Sequence, residues 1–431
     1  MKKVALHNLG CKVNAYEMEA MQQLLEERGY EIVPFSEDAD VYIVNTCTVT
    51  NMADRKSRQM LHRAKKRNPN AVIVAAGCYV QGKGGQADSC IDIIVGNNRK
   101  KEIADILAQY ENEKERKVFD ARLDIDRACE YEELHLTHTA EHTRAYIKVQ
   151  DGCNQFCSYC IIPFVRGRVR SRSLESVENE VKKLAENGYK EVVLTGIHLS
   201  SYGMDFDKST DSLLTLISRI HEVDGIERIR LGSLEPGIIT EEFAVKLGSL
   251  PKICPHFHLS LQSGCNATLK RMNRRYTAEE YYEKCCLLRK HFKNPALTTD
   301  VIVGFPGETA EEFEESKNFI DKADFYETHI FKYSKREGTK AAGMEHQVLE
   351  EIKNERSAIL LELGRKKREL YENALIGTVQ QVLIEEEEPC QDGLYGIGHT
   401  REYVKIRQKY DGNQLNQIIN VEIESHLQIM H

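Results

Sequence analysis

The sequence predicts an α/β protein of three parts: an N-terminal doubly wound parallel sheet, a central partial (β/α)6 barrel and a small C-terminal antiparallel β-barrel. Three observations predict it. Apolar runs alternate with amphipathic helices over the first hundred residues, the alternation resumes at residue 144, and after residue 373 short strand-like runs separated by glycine replace it. Apolar runs between helices are typical of parallel strands covered on both faces. A chain of 431 residues is also too long for one compact core.

The N-terminal part, residues 1–110, contains four predicted strands. They are KVALHNL, DVYIVNT, AVIVAAG and IDIIVG, with helices between them over AYEMEAMQQLLEERG, ADRKSRQMLHRAKKR and KEIADILAQY. Three of the strands lead directly into a cysteine, namely Cys11, Cys47 and Cys78. Because the carboxyl ends of the strands of a doubly wound sheet line one crevice, we expect the three thiols to converge. One such cysteine alone is more simply a small buried hydrophobe, but three at equivalent positions predict a shared cluster.

The central part covers residues 144–373 and follows a polar, histidine-rich stretch, 111–143, that is predicted as a linker with one strand near KVFD. Six strands are predicted, over AYIKVQ, EVVLTG, RIRLGS, HFHLSL, TTDVIVGF and ETHIFKYS. Several helices between them begin with a Ser, Thr or Asp cap and acidic residues in the first turn. Six βα units make most of a barrel, and the active sites of such barrels lie at the strand exits.

The C-terminal part, residues 374–431, alternates in β fashion over GTVQQVLIEEEE, GLYGIGHTREYVKIRQ and QIINVEIESHLQIM. This pattern is typical of a small barrel of the OB-like kind, and such barrels often bind RNA through basic and aromatic side chains. Arg401, Tyr403 and Lys405 are the candidates here. A purely structural cap is the alternative.

Composition and charge narrow the possible partners. The N-terminus has no apolar signal region and no stretch approaches the ~20 apolar residues that span a bilayer, so we expect a cytoplasmic protein without membrane contact. Thirteen cysteines in a reducing compartment indicate metal or redox chemistry rather than disulfides. The net charge of −8 argues against a general affinity for nucleic acid.

Basic residues are nevertheless clustered, in RKSRQMLHRAKKR, RGRVRSR, KRMNRR and RKKR. One such cluster is usually a solvated helix face, but four against an acidic background predict local contacts with phosphate. The residues that we expect to contact RNA in the first two clusters are Arg55, Lys56, Lys65, Lys66, Arg168 and Arg170.

A second group of cysteines lies in DGCNQFCSYC, at Cys153, Cys157 and Cys160. Four thiolates complete a tetrahedral zinc site or an iron–sulfur cluster, and this run supplies three. Either a fourth ligand comes from elsewhere or one metal position is left open. The alternatives are a zinc knuckle and an iron–sulfur cluster used only for electron transfer. A loop that follows the first strand of a βα repeat suits neither of them.

The loop follows the first barrel strand and has Tyr159 beside its last cysteine, and in this it resembles the radical S-adenosylmethionine superfamily. In that superfamily three thiolates hold three irons of a [4Fe–4S] cluster, and S-adenosylmethionine chelates the fourth iron. The resemblance implies that Cys153, Cys157 and Cys160 are catalytic. It also implies a cofactor pocket at the strand exits, lined by Tyr159, Gly196, Ser233, Glu235, Gln262 and Asp300. For Ser233 and Gln262 the alternative is hydrogen bonding within their loops. For Arg168 and Arg170, just past the cysteine loop, the alternative to RNA phosphate is the cofactor carboxylate.

Across nearly the whole chain the sequence resembles the methylthiotransferases of that superfamily. The motifs that carry this resemblance are LGCKVNAYEMEA, NTCTVTN, GCYVQ, CNQFCSYCIIPFVRGRVRSR, LTGIHLSSYG, LQSGCNATLKRMNRRY and TDVIVGFPGET. It implies a second [4Fe–4S] cluster on Cys11, Cys47 and Cys78, and a C-terminal TRAM domain. The other seven cysteines have no assigned role, and the glycine-rich loop before Cys90 departs from the family pattern.

GCKVN and GIHL resemble the branch that modifies N6-threonylcarbamoyladenosine beside the tRNA anticodon, at position 37. That reaction removes hydrogen from C2 of the adenine and attaches a methylthio group there. The implied partners are the anticodon stem-loop of tRNA and a low-potential electron donor such as a flavodoxin or ferredoxin. Isopentenyladenosine of tRNA, a ribosomal-protein aspartate, and a non-catalytic iron–sulfur protein that binds RNA are the alternatives.

Overall fold

A computed structural model describes residues 1–82, 88–113, 117–138, 143–207, 212–410, 412 and 414–430. Part of the glycine-rich loop before Cys90, residues 83–87, lies outside the described residues, as do residues 114–116 and 139–142 of the predicted linker. Within the described part of the chain, no helix is both long and apolar enough to cross a membrane.

The N-terminal part is a six-stranded, entirely parallel sheet in the order β2-β1-β3-β4-β5-β6. Its strands are β1 (Lys3–Asn8), β2 (Glu31–Val33), β3 (Val41–Thr46), β4 (Val72–Gly77), β5 (Ile93–Val95) and β6 (Phe119–Asp120). The helices are α1 (Lys12–Glu27), α2 (Asn51–Arg67), α3 (Cys78–Gln81) and α4 (Ile103–Asn112). The short strand β2 was not predicted, and β6 extends this sheet from within the range predicted as a linker.

Both faces of this sheet are covered, as the sequence predicts for a doubly wound fold. Alternate residues of β3 point to opposite faces: Ile43 packs with Met21 of α1 and Leu107 of α4, whereas Val44 packs with Leu61 of α2. The strand order reverses between β1 and β3. In doubly wound sheets this reversal opens a crevice at the carboxyl ends of the strands, where ligands bind.

The central part contains six parallel strands in sequence order. They are β7 (Arg144–Asp151), β9 (Glu191–Gly196), β10 (Arg228–Leu231), β11 (His256–His258), β12 (Ala296–Val303) and β13 (Glu327–Lys332), with β8 (Arg170–Ser171) antiparallel beside β7. Two hydrogen-bonded groups, β7-β9-β10 and β11-β12-β13, are joined by the single bridges Ile229–Ile253 and Leu234–Leu259. The predicted partial barrel is therefore confirmed.

Helices cover the outer face of the barrel. The helices of this part are α5 (Ile162–Arg166), α6 (Leu174–Glu186), α7 (Leu213–His221), α8 (Glu241–Gly248), α9 (Asn266–Arg271), α10 (Ala278–His291), α11 (Ala310–Ala323) and α12 (Glu350–Asn373). The short α5 does not belong to this outer layer, because it contacts α3 of the first sheet. Ile147 and Val149 of β7 join Val181 of α6 in the main hydrophobic core. Tyr146 and Lys148 alternate with them and so point to the inner face of the barrel.

The C-terminal part is a five-stranded antiparallel sheet in the order β17-β14-β15-β16-β18. Its strands are β14 (Val379–Cys390), β15 (Gly393–Thr400), β16 (Lys405–Lys409), β17 (Ile418–Glu422) and β18 (Ile429–Met430). Val382 and Ile406 form a small core with Tyr326 of the barrel. This sheet closes the end of the barrel at which the strands begin, because Arg228 donates to His399 O and Arg230 to Arg401 O, both at 2.9 Å.

Candidate functional site: two cysteine triads at one cleft

The loop that carries Cys153, Cys157 and Cys160 leaves the carboxyl end of β7 and folds back on itself. Cys160 N donates to Cys157 O (2.9 Å), and Cys153 N donates to Gly167 O (3.0 Å). Gly152 has a φ of +70°, and a Cβ there would lie 1.8 Å from Arg168 O, so glycine is required for this close approach. The loop is thereby held against the chain that follows it.

The electrostatic surroundings of this triad suit thiolate ligands of a metal cluster. Burial, with a smaller contribution from the neighbouring Cys157, raises the pKa of Cys153 to about 11 and that of Cys160 to about 12. A positively charged partner is therefore needed to hold them as thiolates. Arg274 Nη1 donates to Cys157 Sγ (3.3 Å), which is the charge-assisted contact that a thiolate prefers.

A cavity of about 340 Å³ opens beside Cys157, at the exits of β9 and β10. Glu235 and His198 line it together with Arg274. Glu235 Oε1 lies 2.6 Å from Arg274 Nη2 and 3.7 Å from His198 Nε2. Burial alone would raise the pKa of Glu235, but His198 and Arg274 hold it below its usual value. The cavity thus offers a carboxylate and a guanidinium next to an open side of the triad.

The other five residues predicted for the cofactor pocket lie at or near strand exits but do not line this cavity. Gly196 is the last residue of β9, and Ser233 is exposed just after β10. Tyr159 packs edge-on against Phe305, with ring centroids 6.4 Å apart. Gln262 N donates to Asp300 O (2.9 Å), and Asp300 Oδ2 lies 3.4 Å from His258 Nε2. These placements leave the predicted roles of the five as predictions.

The second triad lies in the crevice of the first sheet. Cys11 follows β1, Cys47 follows β3 and Cys78 begins α3, so the three stand at the strand-order reversal and beside it. Gly10 has a φ of +107°, and a Cβ there would lie 2.9 Å from Cys47 Cβ, so only glycine lets the first two cysteines approach. Burial, with smaller contributions from Cys78 and Cys11, raises the pKa of Cys47 to about 11.

A buried arginine joins the two triads. Arg166 follows the loop that carries Cys153, Cys157 and Cys160, and its Nε donates to Cys78 Sγ of the other triad (3.2 Å). Its other nitrogens donate to Glu17 Oε1 (2.8 Å) and Oε2 (3.0 Å), Asp151 Oδ1 (3.1 Å) and Asn14 Oδ1 (2.7 Å). Each triad therefore has one buried arginine N–H directed at a sulfur, and hydrogen bonds of this kind tune iron–sulfur clusters.

Sequence reasoning missed both of these arginines. Arg166 and Arg274 belong to the basic clusters RGRVRSR and KRMNRR, which were interpreted as phosphate contacts. Glu17, which Arg166, Lys100 and Lys148 hold charged with a pKa well below its usual range, was also missed. The available signal was weak, because Glu17 is one of several polar residues of α1 and only its burial in the structure distinguishes it.

A cleft of about 750 Å³ lies beside both triads. Its walls include residues that directly follow cysteines of both triads. Thr48 follows Cys47 and Tyr79 follows Cys78, whereas Ile161 follows Cys160 of the other triad. Arg58, Arg122, Arg336 and the half-exposed ring of Phe164 also line it. A cleft with arginines and an exposed aromatic ring suits a splayed nucleotide, because bases stack on aromatic rings and phosphates pair with guanidinium groups.

The residues predicted to contact RNA divide into two groups. Arg55, Lys56 and Lys66 are exposed on α2, and Arg168 is exposed with its guanidinium 4.7 Å from the ring centroid of Phe156. The ammonium group of Lys65, in contrast, already has partners within the protein: its Nζ donates to Ala71 O (3.2 Å) and pairs with Asp92.

Arg170 is only 1% exposed, and its guanidinium donates to the carbonyls of Arg168 and Arg166 (both 2.9 Å). This burial does not suit a contact with RNA. Arg401 donates to Ile253 O (2.7 Å), and Tyr403 stacks on His256 with ring centroids 5.1 Å apart, so both dock the C-terminal sheet onto the barrel. Lys405, half-buried on β16, has no such contact among the described residues.

The fold and the cysteine loop define the class of protein. Residues 147–320 match the family model described as the radical SAM superfamily, and residues 3–96 match the one described as uncharacterized protein family UPF0004. The chain is thus a radical S-adenosylmethionine enzyme, a class that uses a [4Fe–4S] cluster and S-adenosylmethionine.

Curated relatives narrow the family. The threonylcarbamoyladenosine tRNA methylthiotransferase MtaB of Bacillus subtilis is 43% identical over 430 residues, 98% of this chain and 94% of the relative. The protein of the same name from Aquifex aeolicus is 43% identical over 89% of this chain and 93% of its own. A tRNA-2-methylthio-N(6)-dimethylallyladenosine synthase of Finegoldia magna is 34% identical over 96% of this chain and 90% of the relative. The chain belongs to the MtaB-type branch of the radical S-adenosylmethionine methylthiotransferases.

Solved structures show the fold alone. The radical S-adenosylmethionine methyltransferase TsrM from Kitasatospora setae, with cobalamin and a [4Fe–4S] cluster bound, superposes with a TM-score of 0.59 at 17% identity, over 79% of this chain and 77% of that one. The cobalamin-dependent radical enzyme OxsB reaches a TM-score of 0.55 at 12% identity, over 85% of this chain and 56% of that one.

Proposed function

We propose that this protein converts N6-threonylcarbamoyladenosine at position 37 of tRNA, 3′ of the anticodon, to its 2-methylthio derivative. The observation that carries the proposal is the cleft whose walls include the neighbours of Cys47 and Cys78 from one triad and the neighbour of Cys160 from the other. A base inserted there would face both triads at once. The relatives at 43% identity, which bear the name of this activity, support the same substrate.

The two triads would hold two [4Fe–4S] clusters, the radical one on Cys153, Cys157 and Cys160 and the auxiliary one on Cys11, Cys47 and Cys78. Bound there with S-adenosylmethionine, they supply one-electron chemistry for C–H cleavage and a methylthio group, neither of which acid–base catalysis provides. Glu235 and Arg274 would orient the cofactor beside Cys157, since a carboxylate and a guanidinium suit its amino and carboxylate groups. Tyr159, Gly196, Ser233, Gln262 and Asp300 would surround the same strand exits.

The anticodon stem-loop would reach the cleft along the exposed basic face of α2. Arg55, Lys56 and Lys66 would contact its phosphates, and Phe164 and Arg168 would meet the splayed loop at the cleft. Lys405 would add a contact from the C-terminal sheet. A low-potential electron donor of the flavodoxin or ferredoxin kind would reduce the radical cluster.

Nucleoside analysis of tRNA from a deletion strain tests this proposal. The 2-methylthio derivative of threonylcarbamoyladenosine should be absent from the deletion strain, and the wild-type gene should restore it. A gene carrying Cys157→Ala is the matched control and should not restore it. If the 2-methylthio derivative of isopentenyladenosine disappears instead, the substrate is that of the Finegoldia relative at 34% identity. If both nucleosides are unchanged, tRNA is not the substrate.

A further inference from the structure

Lys12 is the first residue of α1 and follows Cys11 directly. Its Nζ lies 6.0 Å from the ring centroid of Tyr146, a residue of the inner face of the barrel. It is solvent-accessible, and no hydrogen bond or ion pair joins it to another residue in the described part of the chain. The side chain is therefore a cation without an anionic partner, placed where the auxiliary triad meets the barrel lumen.

The barrel floor behind Lys12 carries more positive than negative charge. Arg144, Arg228 and Arg230 face two carboxylates, Glu191 and Glu385. Glu191 is shared by Arg144 and Arg230, each with its Nε 2.8 Å from Oε1. Both arginines are within electrostatic range of Lys12. An anion placed beside Lys12 would therefore be attracted by the floor as well as by the lysine.

A second polar group at this floor also lacks a partner. His256 is 8% exposed, and its Nδ1 has no hydrogen bond within the described residues. Lys12 and Arg230 are both within electrostatic range of its ring. Buried polar atoms are usually hydrogen-bonded, so an unpartnered one indicates a ligand or water.

We infer that Lys12 and the barrel floor form an anion subsite that takes the carboxylate of the threonylcarbamoyl group. This inference rests on the proposed function. In adenine, C2 and the N6 substituent lie on the same edge of the ring, separated by N1. If C2 faces the triads, the substituent projects along that edge toward the residue beside Cys11, and its terminal carboxylate meets Lys12.

A charge change on the ligand tests the subsite. An anticodon stem-loop carrying threonylcarbamoyladenosine and the same RNA carrying its methyl ester differ by one negative charge at the inferred contact. Equilibrium binding to the reconstituted enzyme should be about tenfold weaker for the ester, the factor expected when a charge-assisted hydrogen bond is lost. Equal affinity for acid and ester would overturn the inference.

Lys12 itself is tested by a double-mutant cycle of protein and ligand. In Lys12→Met the acid should lose its advantage, so that acid and ester bind alike, and Lys12→Arg should restore part of it. If Lys12→Met weakens both ligands by the same factor, Lys12 contacts RNA phosphate and the inference is wrong. Comparing acid with ester in each variant cancels any general loss of folding or cluster content.

Product analysis separates this inference from the proposed function. Wild-type enzyme that forms no methylthiolated product on the acid RNA contradicts the proposed function. Wild-type enzyme that methylthiolates acid and ester with equal kcat/KM contradicts only the subsite.

Discussion

The buried side chain of Arg166 should contribute measurably to the stability of the region that holds the two triads. Replacing Arg166 with Met keeps an unbranched apolar stem but removes the guanidinium, and with it the charge and all the hydrogen bonds to Glu17, Asp151, Asn14 and Cys78. The contacts with Glu17 and Asn14 join residues 149 and 152 positions apart in sequence, and the arginine side chain is fully buried. Met leaves their acceptors without this donor in a place that water does not reach.

The loss of unfolding free energy depends on which ion-pair partners the carboxylates of Glu17 and Asp151 retain. Removing one partner of a buried ion pair costs about 3–5 kcal/mol when the other charge is left alone. Glu17 retains Lys148 at 2.7 Å and Lys100, and Asp151 retains Lys148 at 2.6 Å. The loss should therefore lie near the lower end, about 3 kcal/mol. For a domain of this size that corresponds to a fall of about 6–12 °C in melting temperature.

Anaerobic thermal denaturation of the reconstituted protein measures the stability loss, and the rate of iron loss to a chelator measures the hold on the clusters. In the variant, about half of the iron should be released faster than in wild type and the other half at the wild-type rate, because only one of the two triads loses its hydrogen bond. Arg168→Met is the matched control: this exposed arginine lies two residues away, and its replacement should change stability by at most about 0.5 kcal/mol. An Arg166→Met protein that melts within about 2 °C of wild type and keeps its iron equally well would refute the reasoning.

Three further outcomes are expected. Cys157→Ala should abolish reductive cleavage of S-adenosylmethionine, whereas Cys47→Ala should retain cleavage and stop methylthiolation; iron loss from both sites in Cys47→Ala would contradict two separate clusters. Replacing Arg55 and Lys66 together with Ala should weaken tRNA binding and flatten the slope of log Kd against log salt by about two; an unchanged slope would shift the RNA contact away from α2. Tyr403→Ala should destabilise the protein by about 2 kcal/mol by removing a half-buried ring from its stack, and weaker tRNA binding at unchanged melting temperature would argue against its docking role.

Local sequence was sufficient for the elements that frame the site. The strands of the first sheet are strongly apolar runs, those of the barrel alternate regularly with helices, and each predicted strand is present in the structure. The convergence of Cys11, Cys47 and Cys78 could be predicted because topology, rather than side-chain detail, brings the carboxyl ends of parallel strands together. Only weak elements escaped, such as the three-residue edge strand β2.

The tertiary structure decided the roles of the basic residues. In RGRVRSR, Arg168 is exposed, whereas Arg166 and Arg170 are fully buried, although all three look alike in sequence. Arg166 finds Glu17 149 positions earlier in the chain, and Tyr403 finds His256 by the docking of a separate sheet. A charge pattern reports that a cation is present, but its partner is set by contacts between distant parts of the chain. Whether an arginine binds RNA or holds two domains together therefore depends on burial, which local sequence does not encode.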